Sequence, residues 1–290
     1  MKIRIGVGLG AETDPTDLPH IVDRLEAAGI DSVWLSEHVY WTAVDPFIGM
    51  AHALARTTKL KAGTSVAVLP GRHPVLVAKQ LASLAALAPK RVLPVFGLRP
   101  ARRSEWDVFG VPEGRRAAVF DESLALLRAV LSGDRTDFAG EFFEVEGAQV
   151  GGARLDIWLG GAAPAALRRI GRYGDGWLGS FLPAADAKQG RAAIEAAAAE
   201  AGREIEPDHY GISLLLAEGG LTRDLVTTAR ARRPGADPAD LIATSWPELH
   251  RLLDGYLAAG LTKFVVYNRG PAPRDEFLDR FAEELLPRQN

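Results

Sequence analysis

Hydrophobic positions alternate along nearly the whole chain between short apolar runs and longer amphipathic segments. Short runs bounded by glycine or polar residues predict buried strands, and longer stretches with helical spacing predict helices packed against them. The predicted strands are 3–9, 32–36, 60–68, 91–96, 156–159, 176–180, 210–217 and 263–267. The predicted helices are 17–28, 46–56, 74–88, 116–131, 164–173, 184–201, 246–259 and 274–286.

Regular alternation of strand and helix is typical of parallel βα units. Eight such units with right-handed crossovers close into a barrel, so the fold class is predicted as α/β, a (β/α)8 TIM barrel in a single domain over 1–290.

Two stretches interrupt the alternation. The segment 134–152 predicts a small β-hairpin, and 219–240 predicts a polar loop with room for a short helix. Both are predicted insertions beside a site at the C-terminal face.

Composition narrows the function classes. The net charge of −3 and the pI near 6.1 argue against a nucleic-acid or membrane partner, because no basic face dominates. The chain has no cysteine, which excludes disulfides and thiolate chemistry, and its six histidines show no metal-ligand spacing, so we expect no metal. No signal-like segment is evident, and a cytoplasmic location is expected.

The stretch 155–180 carries the clearest chemistry. An apolar run ends on Gly160 and Gly161 and continues through Pro164 into a predicted helix. Bare backbone N–H groups at a helix N-terminus, together with the helix dipole, favour an anion such as phosphate. A glycine pair before a helix also serves as a simple turn, so the functional interpretation depends on the other strand ends.

The C-terminal ends of the strands hold the active sites of such barrels. Most residues at these predicted ends are polar or glycine. The ends carry Glu37, His38, Thr64, Ser65, Val66, Gly97, Leu98, Arg99, Gly160, Gly161, Ser180, Asn268 and Arg269.

At these residues the chain resembles the bacterial luciferase-like superfamily of flavin and deazaflavin oxidoreductases, in the branch that uses coenzyme F420. Four segments carry the resemblance: 36–38, 63–66 with the residues up to Lys79, 105–110, and 157–177. The resemblance implies a luciferase-like barrel, a small-molecule substrate and a homodimer. It also implies a tricyclic cofactor ring in the barrel mouth, with FMN as the alternative to F420.

The resemblance also implies roles for particular residues of this chain. The backbone N–H groups of Gly160, Gly161 and Ala162 would hold the cofactor phosphate, with the Ser180 hydroxyl as a further donor. A cis peptide at Ser65–Val66 would bulge against the ring. The resemblance implies that Thr64, Gly97 and Leu98 complete this cofactor-binding set.

His38 is the predicted proton-handling residue, because the matching histidine of similar enzymes approaches the ring and the substrate. Glu37 would bond the ring or orient His38. Trp41 is predicted to wall the substrate pocket together with Arg99 and Arg269. Each of these residues also has a purely structural interpretation: a lone histidine often bonds within the fold, and an aromatic ring often only packs.

The chain departs from the family in two places. Pro100 stands where related reductases carry a glutamate as second acid, so either no acid is needed there or Glu105 replaces it. Pro183 stands where sugar-phosphate dehydrogenases of the family carry a lysine, which argues against a sugar phosphate as substrate. Near the first departure, Arg99, Arg102 and Arg103 form either a solvated surface cluster or a site for the acidic cofactor tail or an anionic substrate.

The predicted function is an F420-dependent oxidoreductase that transfers a hydride between the deazaflavin and a small organic substrate. Two alternatives stay open. An FMN-dependent monooxygenase would use the same phosphate site, and a non-catalytic flavin- or deazaflavin-binding protein would retain the site without turnover.

Overall fold

A computed structural model describes residues 2–290 and forms a parallel barrel. Its strands are β1 (Arg4–Leu9), β2 (Ser32–Leu35), β3 (Lys61–Thr64), β4 (Ala67–Val68), β5 (Val92–Leu93), β6 (Val95–Gly97), β7 (Thr136–Ala139), β8 (Glu144–Ala148), β9 (Trp158–Gly160), β10 (Gly176–Ser180), β11 (Tyr210–Leu216), β12 (Ile242–Ala243) and β13 (Lys263–Asn268). The α/β barrel predicted from the sequence is confirmed.

The sheet closes on itself through two interrupted strands. Segments β3 and β4 are one strand broken after Thr64, and β5 and β6 are one strand broken at Pro94. Within these two strands β3 pairs with β5, whereas β4 pairs with β6. The ring then continues through β9, β10, β11, β13, β1 and β2 back to β3. Proline lacks the N–H that a central strand donates, which explains the second break.

The helices surround the sheet close to their predicted bounds. They are α1 (Leu18–Ala28), α2 (Pro46–Arg56), α3 (Pro74–Leu87), α4 (Arg116–Leu131), α5 (Pro164–Tyr173), α6 (Ala184–Glu200), α7 (Arg223–Arg232), α8 (Trp246–Ala258) and α9 (Arg274–Leu285). Several begin with proline at a first-turn position, where the missing N–H costs nothing. Among residues 2–290, no helix is long and apolar enough to cross a membrane.

Both predicted interruptions form ordered structure. Strands β7 and β8 pair antiparallel as the predicted hairpin. Its turn lies against α4, because Glu122 accepts hydrogen bonds from the backbone N–H groups of Glu141, Phe142 and Phe143 at 2.8 to 2.9 Å. The second interruption contains α7 and a 3-10 turn at Pro238–Asp240, and just after it the unpredicted strand β12 extends the sheet beside β11.

Besides a small hydrophobic cluster around Leu225 and Ile242, which lies at α7 and β12, two hydrophobic clusters divide the interior. The larger lies between the strands and the helices and includes Ile21, Leu127 and Phe281, all fully buried. The smaller fills the barrel itself with Trp34, Val95, Leu178, Val265 and Tyr267. The filled interior restricts any ligand to the mouth at the strand ends.

Candidate active site

The floor of the barrel mouth is formed around Val66. The Ser65–Val66 peptide bond is cis, as the resemblance implied. The Val66 side chain lies against two strand ends, since an added Cβ at Gly97 would stand 2.6 Å from Val66 Cγ2 and one at Gly160 would stand 3.1 Å from Val66 Cγ1. Glycine at both positions therefore lets the bulge enter the mouth. Three residues of the predicted cofactor set lie together here.

Thr64 supports this floor from below. Its hydroxyl donates to the Val95 carbonyl at 2.6 Å and accepts from the Val95 N–H at 2.8 Å. The side chain is fully buried, so the hydroxyl replaces the sheet hydrogen bonds lost around Pro94. Thr64 thus lies beneath the predicted ring site with its hydroxyl engaged by the protein, while Leu98 packs at the edge of the larger core.

The predicted phosphate site lies where β9 joins α5. Gly161 has φ +118°, a conformation that side chains rarely adopt, and a Cβ there would stand 2.9 Å from Ala166 Cβ. The Gly161 carbonyl accepts a hydrogen bond from Trp177 Nε1 at 2.8 Å, which holds the turn. The N-cap residue of α5, Ala163, has no side-chain acceptor for the first N–H groups of the helix. This turn therefore leaves backbone donors for an anion.

Ser180 ends β10, the neighbouring strand, and is exposed. The register places Gly160 opposite Leu178, so the serine lies beyond the glycine turn toward the mouth. The structure thus brings the predicted phosphate donors Gly160, Gly161, Ala162 and Ser180 to adjacent strand ends.

The Glu37 side chain is buried, and both of its carboxylate oxygens bind other groups of the protein. One carboxylate oxygen accepts from the Val68 N–H at 2.7 Å, and the other pairs with the Arg72 guanidinium. Burial raises the pKa of Glu37, and the positive charge of Arg72 opposes that rise. The pair connects the end of β2 to the backbone just after the cis peptide. Both carboxylate oxygens are therefore engaged away from His38.

His38 is half-buried beside this pair, and its Nδ1 is buried with no hydrogen-bond partner in residues 2–290. Burial lowers the pKa of His38 because it disfavours the imidazolium. The Glu105 carboxylate partly offsets that decrease, and Arg102, Glu12 and Arg269 contribute smaller charge effects. Because its pKa is lowered, the imidazole is available as a neutral base near pH 7 and is suited to accept or return a proton.

Glu105 lies on a 3-10 turn (Arg103–Val108) and is fully buried. Its Oε1 accepts from the Tyr40 N–H at 3.0 Å, which fastens this turn to the loop that carries His38. Its Oε2 has no partner among the described side chains and backbone. Glu105 therefore places a buried carboxylate near the histidine. The sequence suggests this residue as a replacement for the acid that is missing at Pro100.

We expect Glu105→Gln to lower the pKa of His38 further. The amide keeps an oxygen for the Tyr40 N–H but removes the negative charge that favours the imidazolium. Titration of the His38 ring signals by NMR measures this change. Glu12→Gln is the graded control: its charge acts less strongly on His38 and is paired with Arg269 at 2.9 Å, so its shift should be smaller. An unchanged or higher pKa in Glu105→Gln would contradict the assigned influence.

The predicted substrate-pocket residues line the rim of the mouth. Trp41 is 45% exposed and lies under the guanidinium of Arg102, 4.3 Å from its Cζ. Arg99 stacks on Trp106 at 4.5 Å. Arg269 follows β13 and forms its salt bridge with Glu12, which stands after β1. These three residues therefore lie on different strand ends around the same opening.

Sequence reasoning missed Tyr267. Its ring is buried in the barrel, and its hydroxyl lies 3.1 Å from the Ser36 hydroxyl and 3.5 Å from the Ser65 carbonyl, to which it donates. The Ser65 hydroxyl in turn lies 3.4 Å from Ser213. In the sequence, only the glycine at position 8 could have pointed to this ring, since a Cβ there would overlap the Tyr267 ring. A polar chain thus underlies the cis peptide.

The described residues form a closed parallel barrel whose C-terminal end carries a glycine turn and a half-buried histidine, an arrangement suited to an anionic ligand. The family model of luciferase-like monooxygenases matches residues 1–219. The chain belongs to this family.

Curated relatives align over nearly the full length. An F420-dependent glucose-6-phosphate dehydrogenase of Beutenbergia cavernae is 29% identical over 335 aligned positions, covering 99% of this chain and 97% of the relative. A protein of the same description from Nocardia farcinica is 28% identical, covering 99% and 98%.

Solved structures share the fold. An F420-dependent secondary alcohol dehydrogenase in complex with an F420–acetone adduct superposes with a TM-score of 0.85 at 19% identity, over 100% of both chains. The coenzyme F420-dependent tetrahydromethanopterin reductase of Methanopyrus kandleri superposes with a TM-score of 0.79 at 18% identity, also over 100% of both chains.

Proposed function

We propose that this protein is a coenzyme F420-dependent oxidoreductase that transfers a hydride between the deazaflavin and a small organic substrate. The observation that carries the proposal is the glycine turn at Gly161, which lies at the same end of the barrel as the half-buried His38. The full-length relatives described as F420-dependent dehydrogenases support it, as does the structural neighbour with an F420–acetone adduct.

The residues present fit the phosphate and ring of such a cofactor. Backbone N–H groups of Gly160, Gly161 and Ala162 would hold the phosphate at the positive end of α5, with Ser180 beside them. Val66, which lies against Gly97 and Gly160, would support the ring from the barrel side. When bound, coenzyme F420 supplies the hydride chemistry, and the protein supplies orientation and charge.

His38 handles the proton that accompanies hydride transfer. In the direction that oxidises an alcohol, the neutral imidazole accepts the hydroxyl proton at a ring nitrogen; in the reverse direction the imidazolium returns it. Glu37 holds the strand ends through Val68 and Arg72 and is thereby a positioning residue. Glu105 is a second positioning residue, whose charge favours the protonated histidine.

The substrate lies beside Trp41 and Arg269 at the rim. The relatives are described as glucose-6-phosphate dehydrogenases, but we do not propose glucose 6-phosphate as the substrate of this chain. The reason is Pro183, the N-cap residue of α6, which stands where sugar-phosphate dehydrogenases of the family carry a lysine. A small alcohol or carbonyl compound suits a mouth walled by a tryptophan and filled below by apolar side chains.

The testing experiment is a pair of fluorescence titrations of the purified protein, one with coenzyme F420 and one with FMN. We expect saturable binding of F420 at much lower concentration than of FMN. The family description, luciferase-like monooxygenase, favours an FMN-dependent monooxygenase as the second candidate. Preferred FMN binding, with oxygen consumption by the reduced complex and substrate, would establish the monooxygenase instead. Failure to bind either cofactor would overturn both proposals.

A non-catalytic binding protein would bind F420 yet turn over no acceptor. The homodimer and the cytoplasmic location stay predictions.

A further inference from the structure

Four arginines at the rim lack carboxylate partners. Arg99, Arg102, Arg103 and Arg116, here called the arginine rim, form no salt bridge with any side chain in residues 2–290, although neighbouring Arg72 and Arg115 do. The whole chain carries a net charge of −3, so this local positive charge is not a consequence of composition.

Aromatic rings hold three of these guanidinium groups. Arg102 lies over Trp41 at 4.3 Å, whereas Arg99 and Arg103 lie near the same Trp106 ring at 4.5 and 5.7 Å. Stacking engages the flat face of a guanidinium and leaves its N–H edge free. The charges are therefore oriented without being neutralised, and the edges remain available to carboxylate oxygens.

Arg116 adds a buried donor. It is the first residue of α4, its Nη2 donates to the Phe109 carbonyl at 3.0 Å, and its Nη1 is buried without a partner. No side chain caps this helix end, and its first turn carries no acidic residue. Burial lowers the pKa of Arg116, and the charge of Arg99 lowers it further. This repulsion between like charges is relieved when an anion binds between them.

The arginine rim and the phosphate site follow neighbouring strands, since β6, which leads to Arg99, pairs with β9, which leads to the glycine turn. Helix α4 packs beside α5, to which it is joined by the salt bridge between Arg169 and Asp121. On the other side, the stack of Arg102 on Trp41 joins the rim to the loop that carries His38. An extended anion that leaves the phosphate site toward solvent along this side would pass the arginines.

We propose that the arginine rim binds the carboxylates of the oligoglutamyl tail of coenzyme F420. The inference rests on the proposed function. The tail follows the cofactor phosphate and carries several carboxylates in sequence, which match several unpaired guanidinium groups better than a single anion does. A carboxylate on the substrate shares this chemistry, and the experiment separates the two sources.

The test compares three probes by fluorescence titration: F420 with its glutamyl tail, the form that keeps the phosphate but has no glutamate, and the chromophore that lacks phosphate and tail. For the wild type we expect the tailed form to bind about tenfold more tightly than the form without glutamate, with a gain that shrinks as salt rises. The double variant Arg99→Ala/Arg103→Ala should lose this gain and retain the affinity for the form without glutamate. Both side chains are exposed, so the fold should tolerate their removal. Arg251→Ala, an exposed arginine on α8, is the matched control and should behave as wild type.

Other results would each contradict the tail site. Equal affinity of the wild type for both phosphate-bearing forms, or a gain that persists in the double variant, overturns the tail site while the proposed function stands. If the variant instead raises KM for carboxylate substrates alone, the anion belongs to the substrate and the tail proposal is wrong. If no deazaflavin probe binds, the proposed function fails and the tail site with it.

Discussion

His38→Asn is expected to lower kcat by about 10²- to 10⁴-fold while leaving the affinity for coenzyme F420 nearly unchanged. Asparagine fills similar space and retains a polar group, but it does not exchange a proton near neutral pH. The imidazole it replaces has a buried Nδ1 with no partner, so the fold gains little from that nitrogen. Steady-state turnover and cofactor titration of the same preparations give the two measurements.

The matched control is His52→Asn. His52 also has a buried ring nitrogen without a partner, at Nε2, but it lies within α2 rather than at a strand end. We expect near wild-type turnover from this variant. Equal losses of turnover in both variants would indicate that His38 is a structural residue. Unchanged turnover in His38→Asn would contradict its proton-handling role.

The pH dependence provides a second measurement of the same role. Burial lowers the pKa of His38 below the usual 6.5, so the neutral base predominates at pH 7. In the oxidising direction, kcat/KM should fall only as the pH drops through this lowered pKa, which places the acidic limb below 6.5. The limb should move to still lower pH in Glu105→Gln, because that variant removes the charge that favours the imidazolium.

Gly161→Asp is expected to weaken F420 binding by at least about 100-fold, a change of roughly 2.7 kcal/mol in binding free energy. The new carboxylate stands at the proposed phosphate site and repels the phosphate. Its Cβ also meets Ala166, which displaces the turn that presents the N–H groups. Fluorescence titration measures the dissociation constant, and thermal unfolding checks that the fold remains.

Gly220→Asp separates the local effect from backbone strain. Gly220 has the same φ of +118°, but no atom lies within 4 Å of an added Cβ, and it follows β11, two strands away from β9. The two variants therefore carry similar strain and the same added charge. If both weaken F420 binding alike, the glycine turn at Gly161 has no specific part in holding the phosphate.

The apolar and polar pattern was sufficient for the barrel. Strand and helix periodicity placed the βα units, the hairpin at 134–152 and the helix in 219–240, because burial of one face produces a regular spacing that the sequence displays directly. Pro94 can likewise be read directly from the sequence, since a missing N–H donor is a property of the residue itself. The break between β5 and β6 follows from it.

Partners of side chains were decided by tertiary structure. Glu37 and His38 are consecutive in the sequence, yet Glu37 turns to Arg72 and Val68 whereas His38 is left without a partner at Nδ1. Likewise, Arg102 stacks on Trp41 from another strand end. Such pairings depend on which strand ends meet, and residues far apart in the chain leave no spacing that reveals it.

The sequence by itself therefore determined the barrel, the glycine turn before α5 and the set of polar strand ends, because these depend on local periodicity and on backbone freedom at glycine. Only the tertiary structure decided that Glu105 is buried near His38, that Tyr267 lies under the cis peptide and that the arginine rim has no carboxylate partners. Burial and charge act through space, so these properties arise only when the barrel closes.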